Sequence, residues 1–381
     1  QLYLSGLNPH RSARHCANLA SYPWFGARGL RTYDSKEIKQ SEWRAKAKDK
    51  VAEIWTRNAP NDPSLVAYYV SQCIDFQVDL ECEAIILPSP LTVDPGGDYS
   101  TELMWLDAAI ENLKTREDFS FPVYATVAIS DACLKNTDPD KNQLLELILD
   151  NLSSREINGI YLILEQGQEP AETRQSGDAR SLWSMLHLTH SFAREAGLEV
   201  VVNFLSQFGL ACRAAGAKIW STGWYKSLHR IRLTDALAGG RAYPYFWSMP
   251  AAVDVHLEKE LNLFVRKGLL DQFFTLTPAS EGLLEALRAG VHVNDVPAWK
   301  YAPSNKTSAS DHYYFASLDA DREFNSVGDE QRINYVSEWL DKAVVITDDM
   351  RRAIGQGMKT KVNHVRAWKS AFDAYRRFHR L

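Results

Sequence analysis

The chain has too few cysteines, in the wrong places, for a disulfide framework or a thiolate metal site. Five occur in 381 residues: Cys16, Cys73, Cys82, Cys133 and Cys212. The number is odd, the spacings are wide and no C-x-x-C pair exists, which points to a reducing compartment, with the cytoplasm as the expected location. No apolar run approaches the roughly 18–20 residues that span a bilayer, and the opening QLYLSGLNPHRSARH lacks the basic and apolar segments of a secretory signal. No membrane association is expected, and the N-K-T triplet at Asn305 reads as a chance match. A net charge of −5 excludes a surface that binds nucleic acid all over. Gly (20) and Pro (15) are too few for a disordered or fibrous chain.

Signature motifs are also missing. There is no P-loop, no H-E-x-x-H, no G-x-S-x-G, and no G-x-G-x-x-G after the first strand. The ten histidines are scattered, and only His187 and His190, spaced i, i+3 on a predicted helix, hint at a metal. No metal and no cofactor are expected.

What the chain has is alternation. Short apolar strands are predicted at Leu2–Gly6, Gly29–Tyr33, Glu83–Leu87, Val123–Ile129, Gly159–Leu164, Leu198–Phe204, Lys218–Ser221 and Asp271–Leu276. Helical spacing falls between them, at Ser35–Arg57, Pro63–Leu80, Thr101–Arg116, Gln143–Leu152, Ser181–Ala196, Gly209–Ala215 and Ser280–Ala289. Repeated βα units imply a parallel sheet. Eight of them within residues 1–290 match a (β/α)8 TIM-type barrel of the α/β class, the alternative being an open doubly wound α/β sheet. Residues 291–328 are polar and aromatic without clear periodicity, and 329–380 read as helices meeting near Gly355-Gln356-Gly357. Residues 291–381 are therefore expected as an irregular segment plus a helical C-terminal extension.

In a parallel barrel the chemistry sits at the C-terminal ends of the strands. That rule selects Asn8, His10 and Arg11 after the first strand and Asp34 and Ser35 after the second. Ser89 follows the third, Ser130 and Asp131 the fourth, and Glu165 and Gln166 the fifth. Asn203 follows the sixth, and Thr222, Trp224, Tyr225 and Lys226 the seventh. Glu165 is the first choice, because four apolar residues precede it and would desolvate its carboxylate. Glu165, Asp131 and Asp34 are the candidate catalytic groups; two carboxylates in different environments can divide acid and base or nucleophile roles. Taken singly, each also suits a helix cap or an arginine partner.

Between the seventh and eighth strands, W-S-T-G-W-Y-K-S-L-H-R-I-R and G-G-R-A-Y-P-Y-F-W-S interleave cations with rings. Lys226, Arg230 and Arg241 suit a phosphate, and Trp224 and Tyr225 a stacked base; the same residues also suit a loop packed on the barrel rim. In the tail, Val362, Val365, Trp368, Phe372 and Tyr375 share one stripe, a core-facing pattern. The basic face opposite offers a surface to RNA or DNA.

From residue 28 to about 225 the order of pieces resembles the tRNA-guanine transglycosylase barrel. T-Y-D-S places Asp34 and Ser35 as that family's D-S-G-G-F motif does, G-I-Y-L-I-L-E-Q ends in Glu165 as its G-G-L-x-V-G-E strand does, and M-R-R-A-I-G-Q-G is similar to a C-terminal helix of the family. The glycines after Asp34-Ser35 are missing, Ser221 and Thr222 stand where the family's nucleophilic aspartate falls, and its cysteine-rich zinc site is absent. The resemblance implies a diverged base-exchange or nucleic-acid-binding relative. The leading expectation is an enzyme for a nucleotide-like or phosphorylated substrate, with glycosidic-bond chemistry. A non-catalytic barrel subunit that docks a protein or nucleic acid is the second, and a sugar hydrolase the third.

Overall fold

The computed structural model describes residues 2–3, 61–116, 119–167, 175–223, 229–232, 245–300 and 306–381. Its centre is a five-stranded parallel sheet of β2 (Ile85–Ile86), β4 (Val123–Ser130), β5 (Gly159–Glu165), β6 (Glu199–Asn203) and β7 (Ile219–Ser221), in that spatial order. The strands follow one another without reversal and curl as half a barrel. β1 (Leu2–Tyr3) lies parallel against β3 (Ser89–Pro90). A parallel bridge from Thr92 to Ile129 carries that strand past the end of β2 and along β4.

Period-two alternation sorts each strand into two faces. Val123, Ala125, Val127 and Ile129 of β4, Ile160, Leu162 and Leu164 of β5, and Val200 and Val202 of β6 enter the main apolar core. The helices that form this core are α1 (Pro63–Asp79), α2 (Ser100–Lys114), α3 (Gln143–Leu152), α4 (Ala179–His190) and α5 (Gly209–Ala215). Their starts are chemically marked. Asp62, Asn142 and Asp178 each accept a backbone N–H in the first turn, at 3.0, 3.1 and 2.7 Å. A π-turn, Ser191–Glu195, extends α4.

The opposite, concave face is narrower in apolar content. Leu91, Ala128 and Ile163 form a small second cluster with Tyr161, Phe204 and Ile231 beside it. Apart from Val201, the other side chains on that face are polar: Tyr124, Thr126, Ser130, Glu165, Glu199 and Asn203.

Beyond the sheet the chain forms an antiparallel hairpin, β8 (Tyr245–Ser248) with β9 (Val253–His256). The helices α6 (Asn262–Arg266), α7 (Leu270–Phe273) and α8 (Glu281–Arg288) follow, then α9 (Lys306–Ser326), α10 (Arg332–Ile354) and α11 (Asn363–His379). α11 packs on α4, and α10 packs on both α11 and α5. One continuous core thus runs from Val66 to Tyr375. Trp368, fully buried, donates its Nε1–H to the Ser176 carbonyl at 2.8 Å and lies between Phe208 and Trp339. Among the described residues no helix is long and apolar enough to cross a membrane.

The α/β class and parallel sheet agree with the sequence, while closure into an eight-stranded barrel is not shown among the described residues. The predicted eighth strand, Asp271–Leu276, is a correction. Leu270–Phe273 is helical, because Leu269, Leu270 and Phe273 are buried at helical spacing and Leu276 is exposed. The segment 291–328 was expected to be irregular but holds the long helix α9. Its buried stripe of Tyr313, Ala316, Ala320 and Phe324 uses two alanines where a sequence reader looks for leucine. The second predicted strand and the helix over 35–57 lie outside the described residues.

His312 ties α9 to the hairpin. Its Nε2–H donates to the Trp247 carbonyl at 2.8 Å, which leaves Nδ1 to accept from the Thr277 hydroxyl at 2.9 Å. Burial pushes this imidazole down to about 4, so it folds neutral. The unfolded histidine, near 6.5, takes a proton first as pH falls. Its stabilising contribution is therefore complete above pH 6.5 and is lost between there and pH 4, about 3 kcal/mol. Urea unfolding across that range should show this loss, and His312→Gln should flatten that part of the profile while lowering stability at pH 7.

Candidate functional site

The parallel register delivers side chains to the C-terminal edge of the sheet. Ser130 and Glu165 are direct partners across β4 and β5, so they point to the same concave face. The Ser130 hydroxyl donates to Glu165 Oε2 at 2.9 Å, with both side chains buried. Asp131, also buried, opens the short 3-10 turn that follows β4. The two predicted carboxylates therefore stand at adjacent strand ends.

A thiol the sequence reading passed over measures the local field. Cys133 is pushed up to about 12, first by burial and then by the negative charges of Asp94, Glu102, Asp131 and Glu165. Four carboxylates thus converge on one end of the sheet, with Glu102 held by the Thr92 hydroxyl at 2.6 Å. A thiol raised this far stays protonated at neutral pH and is a poor nucleophile.

Asn203 ends β6 and is fully engaged. Its amide donates to the Tyr161 hydroxyl, and its carbonyl accepts from Ser221 Oγ at 2.5 Å and from the Phe204 N–H at 2.8 Å. Burial raises the Tyr161 phenol above its ordinary range. Just past Asn203, Phe204 (φ 61°) and Ser206 (φ 50°) take left-handed backbone that costs a non-glycine residue about 1–3 kcal/mol. Such outliers persist only where the surroundings impose them. Here the imposing contact is the segment His229–Arg232. β5 and β6 remain paired as far as Ile163 and Asn203; beyond that, Ile231 bridges Glu165 in parallel, and Ser206 N–H donates to the His229 carbonyl at 3.0 Å. This brings Arg230, which is buried, to the strand ends, and stacks His229 on Tyr313 at 4.1 Å between centroids.

Thr222 lies at the end of β7, 3.2 Å from the Tyr313 hydroxyl, in an open groove of about 360 Å³ between β7 and α9. Ser89 is buried in β3 with its hydroxyl on the Pro90 carbonyl at 3.2 Å. Asn8, His10, Arg11, Asp34, Trp224, Tyr225, Lys226 and Arg241 lie outside the described residues. Phe246 and Trp247, read as rings for a ligand, are core residues: Phe246 stacks on His312 at 4.3 Å and Trp247 meets Tyr313 edge-on. The fully buried amides of Gln166 and Gln207 each keep a side-chain carbonyl with no hydrogen-bond partner among the described residues, a costly state for a buried polar atom.

Sequence reasoning missed Cys133, Tyr161, Glu102 and Tyr313. Counting back by two from Glu165 along β5 places Tyr161 on the same face, so that signal was available. Tyr313 arrives from α9 and had none.

Two cations on the basic face of α11 are ion-paired. Arg366 pairs with Asp348 at 2.6 Å, and Lys369 with Asp341 at 3.2 Å and Asp373 at 2.6 Å. No family model matches the chain, and neither a curated protein nor a solved structure matches it significantly.

Two glycines give a direct test of how the site is held. A Cβ at Gly167 would fall 2.8 Å from Glu165 Oε1, the end of a side chain, whereas one at Gly159 would run into the Glu199 backbone carbonyl and fall 2.6 Å from the Tyr124 ring. Gly159→Ala should therefore cost about 2–3 kcal/mol by overpacking and Gly167→Ala less than about 1 kcal/mol. Chemical denaturation of both variants decides it; equal losses would mean that the Glu165 carboxylate is as immovable as the backbone.

Proposed function

We propose that the chain is an enzyme that uses Glu165, with Asp131 beside it, in acid–base or nucleophilic chemistry at a glycosidic bond of a nucleotide-like or phosphorylated substrate. The observation that carries this reading is the buried Glu165 carboxylate, hydrogen-bonded to Ser130 at the C-terminal edge of a parallel sheet and grouped with Asp94, Glu102 and Asp131. Glycosidic cleavage passes through a cationic sugar that carboxylates stabilise, and needs one carboxyl to protonate the leaving group and another to act as base or nucleophile. The protonated state of Cys133 speaks against a thiol route through the same end.

In this reading the parallel half-barrel belongs to a (β/α)8-type fold. Arg230 supplies positive charge at the mouth for a phosphate, and Lys226, Trp224 and Tyr225 belong to the same insertion. The likeness to the tRNA-guanine transglycosylase barrel supports the choice of bond without fixing the substrate.

A second reading, a non-catalytic docking subunit, is favoured by one feature. His229–Arg232 lies across the ends of β5 and β6, with Gln166 N–H on the Ile231 carbonyl at 2.8 Å, where a substrate would enter a barrel.

Incubation with a panel of nucleoside phosphates and short RNAs, followed by chromatography for released base, separates the two. Wild type should release base and Glu165→Gln should lose about 10²–10⁴-fold of the rate with its circular dichroism unchanged. No release across the panel, or equal rates in the variant, would remove Glu165 from catalysis and leave the docking reading.

A further inference from the structure

The helix layer carries a second cluster of chemically capable groups at the other end of the sheet. α4 runs back against the strands, so its C-terminus lies near the strand N-termini, opposite the Glu165 edge. His190 is the last residue of α4, Glu195 closes the π-turn that follows, and His379 ends α11. One ligand atom from each lies within 4.8 Å of the other two.

The π-turn explains how two of them meet. In an α-helix, residues five apart diverge around the axis; a π-turn takes more residues per turn and brings i and i+5 toward one line. His190 Nε2 and Glu195 Oε1 are accordingly 3.9 Å apart. α11 completes the set, held there by the fully buried Trp368, Phe372 and Tyr375. Tyr375 also fixes the imidazole: its hydroxyl is 2.9 Å from His190 Nδ1, which leaves Nε2 as the free coordinating nitrogen. Metal-bound histidines commonly have such an outer partner on the second ring nitrogen. His187 stands behind, with Nδ1 3.4 Å from His379 Nε2.

We propose that His190, Glu195 and His379 form a binding site for a divalent transition-metal ion of the zinc class, clipping the end of α11 to the end of α4. Two imidazoles and a carboxylate are a borderline-soft N2O donor set of the kind zinc takes, and a fourth position stays open to water or a ligand. The site opens beside a surface cleft of about 450 Å³ lined by Asp150, Ser153, Ser191 and Glu195, which gives an ion a way in. Closing on an ion requires the donor atoms to approach to roughly 3.3 Å of each other, the edge of a zinc tetrahedron. The movable partner is His379, whose ring is tilted 33° to that of His190 with centroids 3.8 Å apart and must turn to present a nitrogen.

Calorimetric titration of the full chain with zinc chloride tests the site. One ion per chain should bind and raise the thermal midpoint, and cobalt in its place should show the visible absorption of a tetrahedral ion. Glu195→Gln should weaken binding at least about tenfold, and His379→Ala should abolish it, while the exposed His292→Ala leaves it intact. Both test variants should keep the wild-type circular dichroism without metal, because Glu195 is exposed and His379 is the last residue of its helix. No saturable binding up to about 1 mM zinc, or binding unchanged in Glu195→Gln and His379→Ala, overturns the proposal.

Discussion

Parallel strands taken in consecutive order, each joined to the next by a right-handed crossover, place every connecting helix on the same side of the sheet. That constraint shapes the rest of this molecule. One face of β4, β5 and β6 can be wholly apolar, because α1 to α5 and the late helices α10 and α11 cover it. Among the described residues no helix layer meets the other face, which curls upon itself. It does so with one small apolar cluster and a set of hydrogen-bonded polar side chains: Ser130 on Glu165, Asn203 on Tyr161, and Tyr124 on Glu199. Buried polar groups are costly alone and cheap in pairs. The concave face is built from pairs.

The same geometry explains why charge gathers where it does. A strand end is where the ladder stops and side chains no longer need to match a neighbour's apolar face. Ser130, Asp131, Glu165 and Asn203 sit at the ends of three neighbouring strands, and the chain beyond bends to hold them. Phe204 and Ser206 accept left-handed backbone there, and His229–Arg232 takes over the pairing that β6 gives up. Strain at this edge is offset by the long outer core, which draws in Trp368, Phe372 and Tyr375 from the far end of the chain.

Much of the α/β core was legible in the sequence for a physical reason. Strands buried on both sides, such as Val123–Ser130 and Gly159–Glu165, read as apolar runs, and the amphipathic helices between them carry marked caps. Glu165 was legible because an acid directly after such a run has nowhere to go but the edge. What was hidden involves residues whose burial does not follow from polarity. α9 buries Ser310, His312, Ala316 and Ala320, so it carries no leucine stripe, and its Tyr313 reaches the site unannounced. Asp271–Leu276 misled for the opposite reason, since six residues of mixed apolar character cannot distinguish a period of two from one of 3.6. The cluster at His190 was half visible in its i, i+3 pairing with His187. Neither the π-turn nor the docking of α11 could be read from spacing.

The tail helix shows how tertiary packing reassigns a surface. Read alone, α11 offers a basic face suited to a polyanion. In the fold, α10 lies alongside and sets Asp348 and Asp341 against Arg366 and Lys369, while Arg376 donates to Ser337 at 2.8 Å. Exposed pairs of this kind add little stability, about 0–1 kcal/mol each. Their larger effect is on potential, because a neutralised cation no longer draws phosphate from a distance. The charges of Arg366 and Lys369 thus orient the helix. Its buried stripe and the histidine at its end are what join the last segment of the chain to α4 and, through α4, to the sheet.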